Sequence, residues 1–205
     1  ANNWENNQHP MGPTAIYVDN ITGTTHKIMK GNFVVRYNDL IGSDEIRWND
    51  VIEGENNGSD RGSFYRDSDV YGNMLAFAND DGTEMDGGQM NTRFFGNRIE
   101  SCRVALSLAP CVVGPSYVYR NLMFNSGDDR DSCYSIVKLG GEPKYSKGKS
   151  FIFNNTIHGQ GNGLTGVGFG MGNERSMFLG KTRNNIVHTT NSHPEYNETI
   201  RDSQQ

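Results

Sequence analysis

One short phrase recurs six times along the 205-residue chain: alternating apolar or aromatic residues, then Asn, then an aliphatic within two positions. It runs Phe33 to Leu40, Asp69 to Leu75, Thr92 to Ile99, Ser116 to Leu122, Ser150 to Ile157 and Leu179 to Ile186. The pivot residues Asn38, Asn73, Asn97, Asn121, Asn155 and Asn185 are separated by 35, 24, 24, 34 and 30 positions, a unit near 24 with insertions of about ten. Alternation is the period of a strand, and Asn tolerates the left-handed backbone of a sharp corner. Each unit therefore reads as two or three short strands joined by bends. A unit this small buries no apolar face alone, so units must stack, one coil every ~4.8 Å.

Composition agrees. The chain carries 25 Gly and 24 Asn against 8 Leu and 6 Ala, which excludes a helical bundle because Asn and Gly compete with helix or weaken it. Leucine-rich repeats lack their Leu here, and a bladed propeller lacks its regular period of about 40 residues. The 34% hydrophobic fraction supports a narrow core, with 10% aromatic residues in recurrent clusters that argue against disorder. No apolar run approaches the ~20 residues of a membrane span. Twenty-four acidic against 19 basic residues give a net charge of −5 and no electrostatic reason to expect nucleic acid as a partner. Cys102, Cys111 and Cys133 lack zinc spacing; Cys102 and Cys111 either pair in an oxidising compartment or stay buried free thiols, and the spacing leaves both open. N-x-S/T triplets at Asn20, Asn57, Asn154 and Asn197 weigh little in so Asn-rich a chain.

With its period, corner Asn and stacked aromatics, the chain resembles right-handed parallel β-helix proteins over residues 31–190, and the resemblance implies an all-β solenoid of about six coils with an Asn ladder. Residues 1–30 are expected to be an irregular N-terminal segment or partial cap, and residues 191–205 a polar tail. Six coils rise only ~29 Å, short for this class. The chain also opens on Ala1, so it is expected to be processed or a piece of a longer helix whose end coils are covered elsewhere.

The most unusual stretch is Asn79-Asp80-Asp81-Gly82-Thr83-Glu84-Met85-Asp86-Gly87-Gly88, with four carboxylates in seven positions. If Thr83 and Met85 point inward, Glu84 and Asp86 point outward. The preceding stretch from Asn49 to Glu55 lies over it with a shift of 31, stacking Glu53 on Glu84 and Glu55 on Asp86. A shift of 23 brings Ser107 into the Glu84 column one coil later, and Lys138 follows in the same column. Such a grid of like charges repels itself and calls for a proton or a cation.

Three functions fit. In a glycoside hydrolase, crowding raises one carboxyl so that it protonates the leaving oxygen while another activates water. The run Asn79-Asp80-Asp81 with Gly87-Gly88 resembles the paired-Asp motif of polygalacturonase-type β-helix hydrolases. One coil later Ser107-Leu108-Ala109 stands where that family has a His-containing Gly motif. In the second reading Glu53, Glu55, Glu84 and Asp86 bind calcium. Calcium-dependent polysaccharide lyases of this fold neutralise a uronate with the ion while Lys or Arg removes a proton, which makes Lys138, Arg93, Arg98 and Arg103 candidates. In the third, the chain is a non-catalytic glycan-binding, adhesive or tailspike-like homo-oligomer whose carboxylates only solvate the sheet.

Hydrolysis stands slightly ahead of the lyase because Lys138 lies two coils from the acidic centre. The expected catalytic set is Glu84, Asp86, Asp81 and Lys138, with Arg93, Trp48 and Ser107 binding a polysaccharide in an extracellular or periplasmic setting; no cofactor, or calcium, is expected. Asp80 and Asp81 are alternatively the bend. Phe94, Phe95, Tyr117, Tyr119, Phe151 and Phe153 read as a packing stack with one parity inside, any outward rings serving as sugar platforms. His158 alone of the histidines is placed in a coil, and the alternating Gly163 to Gly172 reads as a strand rather than a phosphate loop.

Overall fold

The computed structural model describes residues 12–18, 31–126, 135–140, 145–160, 162–166 and 179–189. Among these the regular structure is all strand, three strands to a coil. The first coil is β1 (Ile16–Val18), β2 (Val34–Arg36) and β3 (Asp39–Ile41), and the second β4 (Ile52–Gly54), β5 (Asp69–Tyr71) and β6 (Met74–Ala76). The third is β7 (Asp81–Glu84), β8 (Thr92–Phe95) and β9 (Arg98–Glu100), and the fourth β10 (Val104–Ser107), β11 (Ser116–Tyr119) and β12 (Leu122–Ser126). The fifth is β13 (Ser135–Leu139), β14 (Ser150–Phe153) and β15 (Thr156–Gly159), and the sixth β16 (Asn162–Gly166), β17 (Gly180–Arg183) and β18 (Ile186–Thr189). First, second and third strands of successive coils pair in parallel to make three six-stranded sheets. The chain is thus a right-handed parallel β-helix of six coils. The segment expected to be irregular supplies β1, which pairs with β4, while residues 191–205 lie outside the described residues. No described helix is long and apolar enough to cross a membrane.

The pivot Asn residues form the ladder at the corner between the second and third sheets. Each amide nitrogen donates to the amide oxygen of the next coil's Asn, at 2.9 Å from Asn38 to Asn73, 3.0 Å from Asn73 to Asn97, 3.2 Å from Asn97 to Asn121, 2.9 Å from Asn121 to Asn155 and 3.0 Å from Asn155 to Asn185. The same oxygens accept the backbone N–H of the preceding Asn, as at Asn73 and Asn97. An amide both donates and accepts, so a column of identical side chains satisfies itself.

Inside the coils, aliphatic columns fill the core: Val70, Phe94, Val118 and Ile152 from the second sheet face Leu75, Ile99, Met123 and Ile157 from the third, all fully buried. Of the six aromatic residues expected to straddle the sheet, only Phe94 is inside. The strand partners of Phe94 are Val70 and Val118, so Phe95, Tyr117, Tyr119, Phe151 and Phe153 take the outer parity. There Tyr71, Phe95, Tyr119 and Phe153 stack with centroids 4.7, 4.9 and 5.1 Å apart, the spacing of the strands. Their faces are turned to one another, so the inner rings of the stack present edges outward.

Two of the insertions lie in the second coil, next to the first sheet. Residues 42–51 join β3 to β4 and residues 55–68 join β4 to β5, where the next coil uses only 77–80 and 85–91. Both long connections flank the first sheet: the first carries Asp50 into the site, and the second lines it with residues 55–59.

Candidate functional site

The first sheet does not follow strict alternation. The consecutive pairs Val51–Ile52, Ala105–Leu106 and Ile136–Val137 are all fully buried in one core cluster. Between them lie Gly82 and Thr83. A side chain at Gly82 would meet Ile99 Cγ2 at 2.7 Å, so this position faces the core and has room only for hydrogen. With two successive residues inward, the residues on either side, Asp81 and Glu84, come out on the same face. Asp50 lies over Asp81 by the register that pairs Ile52 with Thr83, and its Oδ1 accepts the Asp81 N–H at 2.6 Å.

The result is two overlapping groups of carboxylates. Asp50, Asp80 and Asp81 each offer an oxygen within 4.8 Å of the others, and so do Asp50, Glu53 and Glu84. The first group is buried; the second opens to a cleft of about 670 Å³ lined by Tyr17, Asp50, Glu53, Glu55, Asp80, Glu84 and the 56–59 loop. Neutral groups hold the cleft side: Thr14 Oγ1 donates to Glu53 and Asn57 Nδ2 to Glu84, each at 2.7 Å. The ammonium of Lys138 meets the buried side, its Nζ 2.8 Å from Asp81 Oδ2. The other oxygen of Asp81, Oδ1, has no hydrogen-bond partner among the described residues, although only 2% of the side chain is exposed.

This crowding shows in the proton affinities. Burial, then the charges of Asp81, Asp80 and Glu84, pushes Asp50 up to about 10. Burial and the charge of Asp86 carry Glu84 to about 8, against the pull of Lys138. Asp81 is raised by burial despite Lys138. Burial works to lower Lys138, but Asp81, Asp80, Asp86 and Glu84 together hold it above its ordinary value.

The expected residues divide. Lys138 does share the Glu84 column with Ser107, as the pairing of Ser107 with both shows, and it reaches across two coils to the acidic centre. Glu53 stacks beside Glu84, but the matching stack of Glu55 on Asp86 does not form. The chain leaves the sheet at Glu55, and the returning Ser63 takes the place beside β7, its N–H bonded to Glu55 O and its hydroxyl to Glu84 O. Glu55 is left exposed on the cleft wall. Asp86 is buried, accepts from Ser107 Oγ at 2.6 Å and Ala109 N–H at 2.7 Å, and is raised to about 7 chiefly by burial. Ser107 is fully buried, so it orients Asp86 where a substrate contact was expected.

Arg93 lies on the outer face of the second sheet, paired with Asp69, and Arg98 on the third with Glu100; neither joins the site. Arg103 is buried at the corner before β10. Trp48 packs against the core and is not among the residues lining the cleft. Cys102 and Cys111 are free thiols, pushed by burial to about 12; Cys133 lies outside the described residues. His188 sits in a coil as well, stacked on His158 at 5.1 Å. β16 takes in Gly163 to Gly166, and Val167 to Gly172 lie outside the described residues.

Sequence reasoning missed Asp50, the residue common to both groups. The signal was present, because the 31-residue shift already set Asp50 over Asp81, but counting outward positions from Thr83 and Met85 gave Asp50 no role.

An all-oxygen donor set of crowded carboxylates suits a hard divalent ion such as calcium, which takes six to eight oxygens. The orphaned Asp81 oxygen fits the same demand for positive charge. Comparison with protein-family models, with curated proteins and with solved structures returned no match.

Proposed function

We propose that the cleft on the first sheet binds a divalent cation, calcium by its donor set, and with it a uronic-acid polysaccharide that it cleaves by β-elimination. The observation that carries this reading is the pair of overlapping carboxylate groups centred on Asp50 at the foot of an open cleft. Asp50, Glu53 and Glu84 would hold the ion, whose chemistry is to neutralise the sugar carboxylate and acidify the neighbouring C–H. Lys138 is engaged with Asp81 below the cleft, so the proton acceptor is sought on the wall, where Glu55 and the Tyr17 hydroxyl stand exposed. That acceptor takes the proton, the C–O bond to the next sugar breaks, and a C=C bond remains while water or a wall group protonates the leaving oxygen. Such a polymer and free calcium belong to an extracellular or periplasmic setting.

One observation favours a second reading, hydrolysis. A Glu84 carboxyl at about 8 is largely protonated at neutral pH and suits a general acid beside Glu53. Incubating the chain with neutral and uronic polysaccharides, with calcium or with chelator, separates the two. Elimination gives ultraviolet absorbance and reducing ends together, with calcium only. Reducing ends without absorbance, in chelator, replace the lyase by the hydrolase, and silence across the panel leaves a binding protein.

A further inference from the structure

The two carboxylate groups have different counter-charges. Around the cleft group the described donors are neutral, Thr14 and Asn57. At the buried group, Lys138 extends from β13 past the short side chain of Ser107 on β10 to Asp81 on β7, and its side chain is only 14% exposed. Its ammonium bonds one oxygen of Asp81, while the second oxygen lacks a partner among the described residues. A buried carboxylate oxygen without a partner is costly, so this group calls for positive charge, a demand that Lys138 meets at one of the two oxygens.

Resting on the cation-binding reading above, we propose that Lys138 is a built-in cation: its ammonium stands where a divalent ion would otherwise bind among Asp50, Asp80 and Asp81, and it confines the exchangeable ion to the cleft group of Asp50, Glu53 and Glu84. Asp50 belongs to both groups, so a second dication beside the ammonium would meet strong repulsion at close range. Lys138 thereby fixes the number of ions at one and holds the bound ion on the solvent side, where an anionic sugar reaches it. The lysine is a positioning residue that acts through Asp81 and Asp50.

The test counts calcium ions bound by the full chain, by calorimetry and equilibrium dialysis, in the wild type, in Lys138→Met and in Lys138→Met combined with Asp81→Asn. The expected stoichiometries are one, two and one. Lys138→Gln, which removes the charge but keeps a donor toward Asp81, is expected to bind two as well and serves if the Met variant does not fold. Neutral variants that still bind one ion with unchanged affinity overturn the proposal and leave the cation-binding reading in place; so does a wild type that binds two. If the wild type binds none while the neutral variants bind one, the reading of the cleft falls and the role of Lys138 stands. If none binds, both fall.

Discussion

The Asn corner and the acidic corner are built by the same device, like residues set over one another coil after coil, with opposite electrostatic results. Asn38 through Asn185 satisfy one another because every amide carries a donor and an acceptor. Asp50 over Asp81 and Glu53 beside Glu84 repeat groups that only accept when ionised, so the repeat multiplies repulsion. A solenoid amplifies whatever it stacks: self-complementary groups give a spine, and non-complementary ones give a demand for protons, an ammonium or a metal ion.

The strongest way to sharpen this contrast is Asp50→Asn, which alters the residue shared by both carboxylate groups. Calcium-dependent cleavage and calcium affinity are each expected to fall about a hundredfold or more, an effect at least as large as losing a group that orients a metal ligand. Isothermal binding and initial rates check it, and unchanged calcium affinity would remove Asp50 from the site.

Next in size is turning one rung of the neutral ladder acidic. In Asn121→Asp, the Phe94 carbonyl and the Asn155 amide oxygen lose the side-chain donor they share, and a charge enters a buried corner. The expected cost at neutral pH is about 3 kcal/mol or more, with part recovered in acid as the new carboxyl protonates. Asn121→Leu should cost a similar amount without the acid recovery. Denaturant titration of both variants at two pH values decides; equal loss at both pH values for Asn121→Asp would show that charge does not separate the corners.

A third test, read as a slope, is the pH dependence of the calcium-free protein. Asp50, Glu84 and Asp86 sit at about 10, 8 and 7 in the fold, against ordinary values of 3.8, 4.5 and 3.8. The unfolded chain releases these protons first, so the stability they confer is full below about pH 4 and is lost as pH rises toward their folded values. Melting temperature in chelator is therefore expected to fall steadily from pH 5 to pH 8, and calcium to flatten the slope. A flat or rising profile in chelator would contradict the crowding.

Much of the fold was legible because the ladder advertises itself: the Asn positions are fixed by a hydrogen-bond requirement that few other residues meet, so the six pivots gave the coils their register. Shifts of 31 and 23 likewise placed Glu53, Glu84, Ser107 and Lys138 in adjacent strand positions, as their pairing shows. Less legible was what alternation misassigns. Asp86 and Ser107, read as open to solvent, are buried together, while Asp50, which was given no role, joins Asp81, read as catalytic or as part of the bend, at the centre. Neither the return of Ser63 beside β7 nor the two successive inward residues at Gly82 and Thr83 follows from a period of two.

The sequence by itself determined the repeat, the stacking and the columns, because these follow from spacing and from the side-chain chemistry of Asn and of alternating apolar residues. Only the tertiary structure decided which carboxylates share a face, which of them meet water and where the Lys138 ammonium goes. Those outcomes depend on how corners and insertions from different coils pack in three dimensions, a balance of burial and charge across 31 or 57 residues of chain that no local pattern encodes.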